Sequence, residues 1–183
     1  MKFISLAMNT IINLVDRMNE SIGKLVSWLV LAMVVVTFGI VVMRYLFNMG
    51  SIQAQESVIY MHALVFMFAA ASTLKQDGHV RVDIFYGKMT IKKKAVINLF
   101  GNLLLLIPTS LFILWSSWEY VMSAWKINES SAEAGGLPGI YLLKTAILIF
   151  ASMLILQGIA EIFKSLKTIF TQKNHTNNAL AGK

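Results

Sequence analysis

Apolar residues in this chain come in blocks, and the blocks are separated by short polar stretches. Leu25 to Met43 contains no charged residue. Ser57 to Leu74 has one ionisable side chain, His62, beyond its tyrosine. Ala95 to Trp118 is uncharged and has Pro108 near its middle. Gly139 to Ala160 is interrupted only by Lys144 near its start. Each block is long enough to cross a hydrocarbon core of about 30 Å as a helix. The pattern predicts an all-α, polytopic membrane protein with four transmembrane helices, spanning about 25–47, 57–74, 95–118 and 139–163.

The segment before the first block has a different period. Ile4, Met8, Ile11, Val15, Met18 and Ile22 recur at alternating steps of four and three, which places them on one helix stripe. Asn9, Asn13, Asp16, Arg17 and Glu20 fall off it. The apolar run is too broken for a signal peptide, and no small-residue cleavage site follows. The expectation is an amphipathic helix over 3–22, lying on the membrane surface or packed on a partner. At the other end, 173–183 is polar and unpatterned, and a mobile tail is expected there. Residues 1–172 then form one membrane domain without an internal repeat.

Composition agrees with this reading. Hydrophobic residues make up 57% of the 183, and only 14% are charged, against about 25% in soluble domains. There is no cysteine, which excludes disulfides, thiolate metal sites and thiol redox chemistry. The net charge of +7 suggests nucleic acid until the charges are located. Lys2, Arg17, Lys24, Lys75, Arg81, Lys88, Lys92, Lys93, Lys94, Lys164, Lys167, Lys173 and Lys183 fall on one side of the four spans. Arg44, Lys126 and Lys144 fall on the other. The positive-inside rule places both termini in the cytoplasm. The charge is therefore a topology signal and no nucleic-acid partner is expected. Tyr45, Tyr60, Tyr120 and Tyr141 mark the predicted outer ends, as an aromatic belt would.

Candidate chemistry is sparse. An ionisable group at membrane depth is a functional hypothesis in itself. His62 has no second intramembrane histidine to complete a haem site, so a polar contact between helices is the plainer expectation. Arg44 and Glu56 lie at the two ends of a short outer hairpin, where they can pair, helix-end anchoring being the plainer expectation. Lys144 lies about one turn inside the fourth span, with Glu119, Glu129 and Glu133 available. No acid lies mid-span, and no Gly-rich phosphate loop or nucleophile pattern is present. The chain is expected to be no enzyme, and to hold no metal or cofactor. Two readings remain: a subunit of a transport complex, or an autonomous small homo-oligomeric carrier or channel. Arg81 and Asp83 alternate with Val80, Val82 and Ile84 in the large cytoplasmic connection, an extended segment suited to an interface or a membrane surface.

Several of these stretches, taken together, resemble a known family. They are Arg44-Tyr45-Leu46-Phe47-Asn48 with Gln55-Glu56, then Asp77-Gly78-His79-Val80-Arg81-Val82-Asp83. Glu133-Ala134-Gly135-Gly136-Leu137-Pro138 follows, with Tyr141-Leu142-Leu143-Lys144 and Leu156-Gln157-Gly158. Their order and spacing over about 25–165 resemble the DctQ-type small membrane subunit of tripartite ATP-independent periplasmic (TRAP) transporters. Many members carry a Trp and a glutamate pair at the start of the second span. This chain has Ser51-Ile52-Gln53-Ala54-Gln55-Glu56, so no role of such a pair is carried to position 55.

The resemblance implies a bacterial inner-membrane complex for organic acids. A large multi-span subunit of DctM type would carry the substrate and sodium sites and move as an elevator. A periplasmic substrate-binding protein would deliver the acid. The small subunit would act as a brace whose outer loops touch the docked receptor, with no substrate-binding residue of its own. Arg44, Glu56, His62, Arg81, Asp83 and Lys144 are then candidates for subunit contact or helix anchoring.

Overall fold

The computed structural model describes the backbone of residues 2–76, 78 and 86–181, and side chains within 8–171 of that set. The described residues are helical with no strand. The helices are α1 (Lys2–Phe47), α2 (Ile52–Lys75), α3 (Ile91–Gly101), α4 (Ile107–Lys126) and α5 (Ile140–Ala181). A π-helical turn at Asn102–Leu106 joins α3 to α4 without a break in direction of the chain. Four helical stretches are long and apolar enough to cross a membrane: Met8–Phe47, Ile52–Lys75, Ile91–Lys126 and Ile140–Thr171.

The π turn explains how Pro108 fits inside the third span. Proline lacks an N–H and its ring clashes with the carbonyl four residues earlier. That carbonyl belongs to Leu104, inside the π turn. There the ladder widens, and Ile107 N–H reaches back to the carbonyl of Asn102. Asn102 bonds through its side-chain amide to the carbonyl of Asn98, at 2.8 Å. A polar residue in a membrane helix is thus satisfied within its own chain.

The helix expected over 3–22 is present, as the first half of α1 and not as a separate element. α1 has 46 residues, about 69 Å at 1.5 Å per residue. It is roughly twice as long as a bilayer core requires. Its buried face is also rotated from the expected stripe. Ile12, Val15, Asn19 and Val26 are buried, whereas Ile11 and Met18 are exposed. That face packs on the second half of α5, with Ile12 and Val15 against Ala160 and Phe163. α5 itself runs from Ile140 to Ala181.

α5 is the centre of the molecule. It packs on α1, α2, α3 and α4. Within its most apolar window 44% of residues are buried, against 6–11% in the other spans. The other helices turn broad apolar faces outward, with Leu31, Val34, Val35 and Phe38 exposed on α1. Close approach relies on small residues, since lipid tails are as apolar as leucine and burial alone does not draw helices together. A Cβ on Gly23 would stand 2.8 Å from Ser72 Cβ on α2, and one on Gly158 would stand 3.0 Å from Leu106 Cδ2.

Candidate functional site

Among the described residues no cluster of His, Asp or Glu could hold a metal ion. Polar side chains gather instead at the two ends of the helix group. One end carries the connections 48–51 and 127–139; the other carries the chain termini.

At the loop end, residues 127–139 fold into a compact hairpin. Ser131 N–H donates to the Leu137 carbonyl at 3.2 Å, and Gly136 N–H to the Glu133 carbonyl at 2.9 Å. Gly135 and Gly139 take positive φ values of 79° and 129°, which glycine adopts without steric cost. Glu56, near the start of α2, holds this hairpin from the side. Its carboxylate accepts the Leu137 N–H at 2.6 Å and the Ser131 hydroxyl. Gly136 is a glycine for a packing reason: a Cβ there would lie 2.8 Å from the Glu56 carboxylate and 2.4 Å from Ser131 Oγ.

Beside the hairpin, α4 and α5 are tied together. Lys144 Nζ meets Glu129 Oε2 at 2.5 Å and stands 4.0 Å from the centre of the Tyr120 ring. A cation over an aromatic face gains from the ring quadrupole, more so when half desolvated. Trp125 Nε1 donates to Thr145 Oγ1 at 2.8 Å, and the Trp125 ring meets Tyr141 edge-on, centroids 4.7 Å apart.

The terminal end is organised around Gln157, which is fully buried. Its amide oxygen accepts from Asn19 Nδ2 at 2.7 Å. Its amide nitrogen donates to Asp16 and to Glu161, each at 3.0 Å. Lys164 reaches the same two carboxylates, at 2.9 and 2.7 Å. One amide and one ammonium thus lock two acids between α1 and α5. Next to it Glu20 bonds Lys75 of α2 at 2.6 Å and Lys24 at 2.8 Å. Lys167 donates to Asn9 at 3.1 Å, one step further toward the termini.

The residues singled out in the sequence are distributed as follows. Lys144 does lie within a half-buried cluster, and of its three candidate acids Glu129 is the partner. Glu119 and Glu133 are exposed. Arg44 and Glu56 do not pair. Both carboxylate oxygens of Glu56 are taken by the hairpin, and Arg44 is exposed with no ion pair among the described residues. His62 is exposed on α2, with no hydrogen bond to another helix among the described residues. Arg81 and Asp83 lie outside the described residues.

The apolar pattern alone does not point to the Gln157 network as a unit: Asp16 falls off the stripe of 3–22, and Gln157 stands out only within Leu156-Gln157-Gly158. One signal was available: Asp16 and Asn19, and likewise Gln157, Glu161 and Lys164, recur at helical steps of three and four. Two such polar faces on apolar helices call for one another.

The family described as tripartite ATP-independent periplasmic transporters, DctQ component, matches residues 33–168. Among curated proteins, the C4-dicarboxylate TRAP transporter small permease protein DctQ of Vibrio cholerae is 29% identical over 107 residues, 58% of this chain and 46% of that protein. The matched stretch therefore spans about half the length of the curated relative. No solved structure matches the chain.

Proposed function

The chain belongs to the DctQ component family of tripartite ATP-independent periplasmic transporters, and from that membership we propose that it is the structural brace of such a transporter. It is a multi-pass membrane protein that supports a large ion-coupled subunit of DctM type and contains no substrate path itself. Its termini face the cytoplasm. The hairpin at 127–139 faces the periplasm, where a substrate-binding protein docks, and the cargo of the complex is an organic acid.

One observation carries this reading. No Asp or Glu lies within the apolar runs that make the four spans, and several hydroxyls and amides there are bonded within their own helix. Thr73, Thr145 and Ser152 donate to the carbonyls of Ala69, Tyr141 and Leu148 one turn back. Asn102, at the start of the π turn, donates likewise to the carbonyl of Asn98. Asp16, Glu20, Glu56, Glu129 and Glu161 sit at the two ends, bonded to lysines or to the hairpin, while Glu119 and Glu133 are exposed. What the spans present outward is an apolar surface, suited to lipid and to another membrane protein. A carrier needs the reverse arrangement, with ionisable groups facing a cavity.

The test is reconstitution. Purified from its native membrane in mild detergent, the chain should bring down a large multi-span partner. Proteoliposomes should take up an organic acid only when both chains and the periplasmic receptor are present. Uptake by this chain alone would overturn the reading and favour a homo-oligomeric carrier.

A further inference from the structure

The lysines at the terminal end are not equivalent. Lys24, Lys75 and Lys164 are neutralised by acids, and Lys167 bonds Asn9. Lys94 leans over the Tyr86 ring at 5.1 Å. Lys88, Lys92 and Lys93 are exposed and form no ion pair among the described residues. Lys92, Lys93 and Lys94 occupy the first turn of α3, which contains no acid. A helix start carries partial positive charge from its unpaired N–H groups, so cations are disfavoured there. Thr90 caps one of those groups, accepting from Lys93 N–H at 3.4 Å. The rest of the local positive field is unopposed by any described side chain.

An open cavity of about 480 Å³ adjoins these lysines, lined by Met89, Thr90, Lys92, Lys93, Val96 and Ile97. Its two walls differ in chemistry. Lys92 and Lys93 sit at one end. Val96 and Ile97, a turn further on, begin the apolar surface of the span. A ligand that suits both ends carries negative charge attached to hydrocarbon, in that order along the membrane normal. A free anion leaves the apolar wall uncovered, and an uncharged lipid leaves the lysines unanswered.

We infer that the groove at the start of α3 binds an anionic phospholipid, its phosphate between Lys92 and Lys93 and an acyl chain along Val96 and Ile97. Basic clusters next to a membrane helix attract anionic headgroups, and this one has a shaped apolar wall beneath it. The site goes beyond the bracing role and requires no partner subunit, so the two can fail separately.

Native mass spectrometry of the full chain in a neutral detergent tests it, titrating phosphatidylglycerol, phosphatidylcholine and inorganic phosphate in separate arms. Phosphatidylglycerol should be retained most tightly. The double variant Lys92→Ala/Lys93→Ala should weaken it about thirtyfold, taking the contribution of two lysines at an anionic surface. Lys92→Arg/Lys93→Arg should restore it, and Lys126→Ala, at the other membrane face, should leave it unchanged. Equal retention of phosphatidylcholine would overturn the inference. So would equal competition by inorganic phosphate, or an unaltered phosphatidylglycerol affinity in the double alanine variant. Helix content by circular dichroism separates a lost site from a lost fold.

Discussion

The two polar clusters hold the same helix group by different means. At the loop end, Lys144 and Glu129 are 15 residues apart in sequence and Trp125 and Thr145 are 20 apart. These pairs belong to one α4–hairpin–α5 unit that is brought together by its own short connection. At the terminal end, Asn19 and Gln157 are 138 residues apart, and Asp16 and Lys164 are 148 apart. That cluster forms only when the first and last helices of the chain find each other. The first cluster secures a local turn, to which Glu56 of α2 is clasped from 75 and 81 residues away; the second joins the first and last helices. Between helices in lipid, where burial gives little direction, a polar network of this kind specifies which faces meet.

The difference is open to direct attack. The largest effect is expected from Gln157→Leu. It strands the Asn19 amide and removes the donor shared by Asp16 and Glu161, and should cost about 2–3 kcal/mol, in the range for orphaned buried polar groups. Unfolding in detergent, followed by tryptophan fluorescence, should show it, with α1 separating from α5. Full stability in this variant would mean that the network is an ornament of the packing and not a cause of it.

Glu56→Ala should come next, at about 1–2 kcal/mol for two hydrogen bonds to a carboxylate. Its signature is local. Hydrogen exchange at the Leu137 amide should accelerate while α1 and α5 stay protected. Protection of Leu137 in the variant would show that the hairpin stands without its clasp.

Lys144→Ala should lower stability less than Glu56→Ala does, through loss of the Glu129 ion pair and of the contact with the Tyr120 ring. In the intact complex it should lower the yield or uptake more than Lys173→Ala does. Equal yield and uptake for both variants would count against a role for Lys144. The smallest effect is expected from Arg44→Ala, which removes no bond within this chain. If Arg44 serves a partner, the variant should lose co-purification with no change in its own melting.

Much of this could be read from residues alone, and the exceptions share one cause. The four spans follow from uncharged runs. The hairpin follows from Gly135-Gly136-Leu137-Pro138-Gly139. The acids near Lys144 were nameable because helix ends lie close across a short loop. An Arg44–Glu56 pair is possible on the same ground and does not form. Proximity in the hairpin was right, but the Leu137 and Ser131 donors approach Glu56 from a helix pair that is distant in sequence. Asp16 failed in the opposite sense: polar and off the apolar stripe, it reads as solvated, yet it is part of a buried junction.

Partition into a bilayer is a property of one segment at a time, so composition and run length suffice to determine the helices, their number and the charge asymmetry between their ends. The motifs that place the chain in its family are likewise local strings. Which helix becomes central is not a property of any segment. Leu31-Ala32-Met33-Val34 and Ala151-Ser152-Met153-Leu154 are similarly apolar, yet much of the first stretch faces outward and most of the second is buried. The tertiary structure decided that, through Gly158 in close contact with Leu106 and Gln157 between two acids. Such complementarity is pairwise, and it exists only once both surfaces are in place.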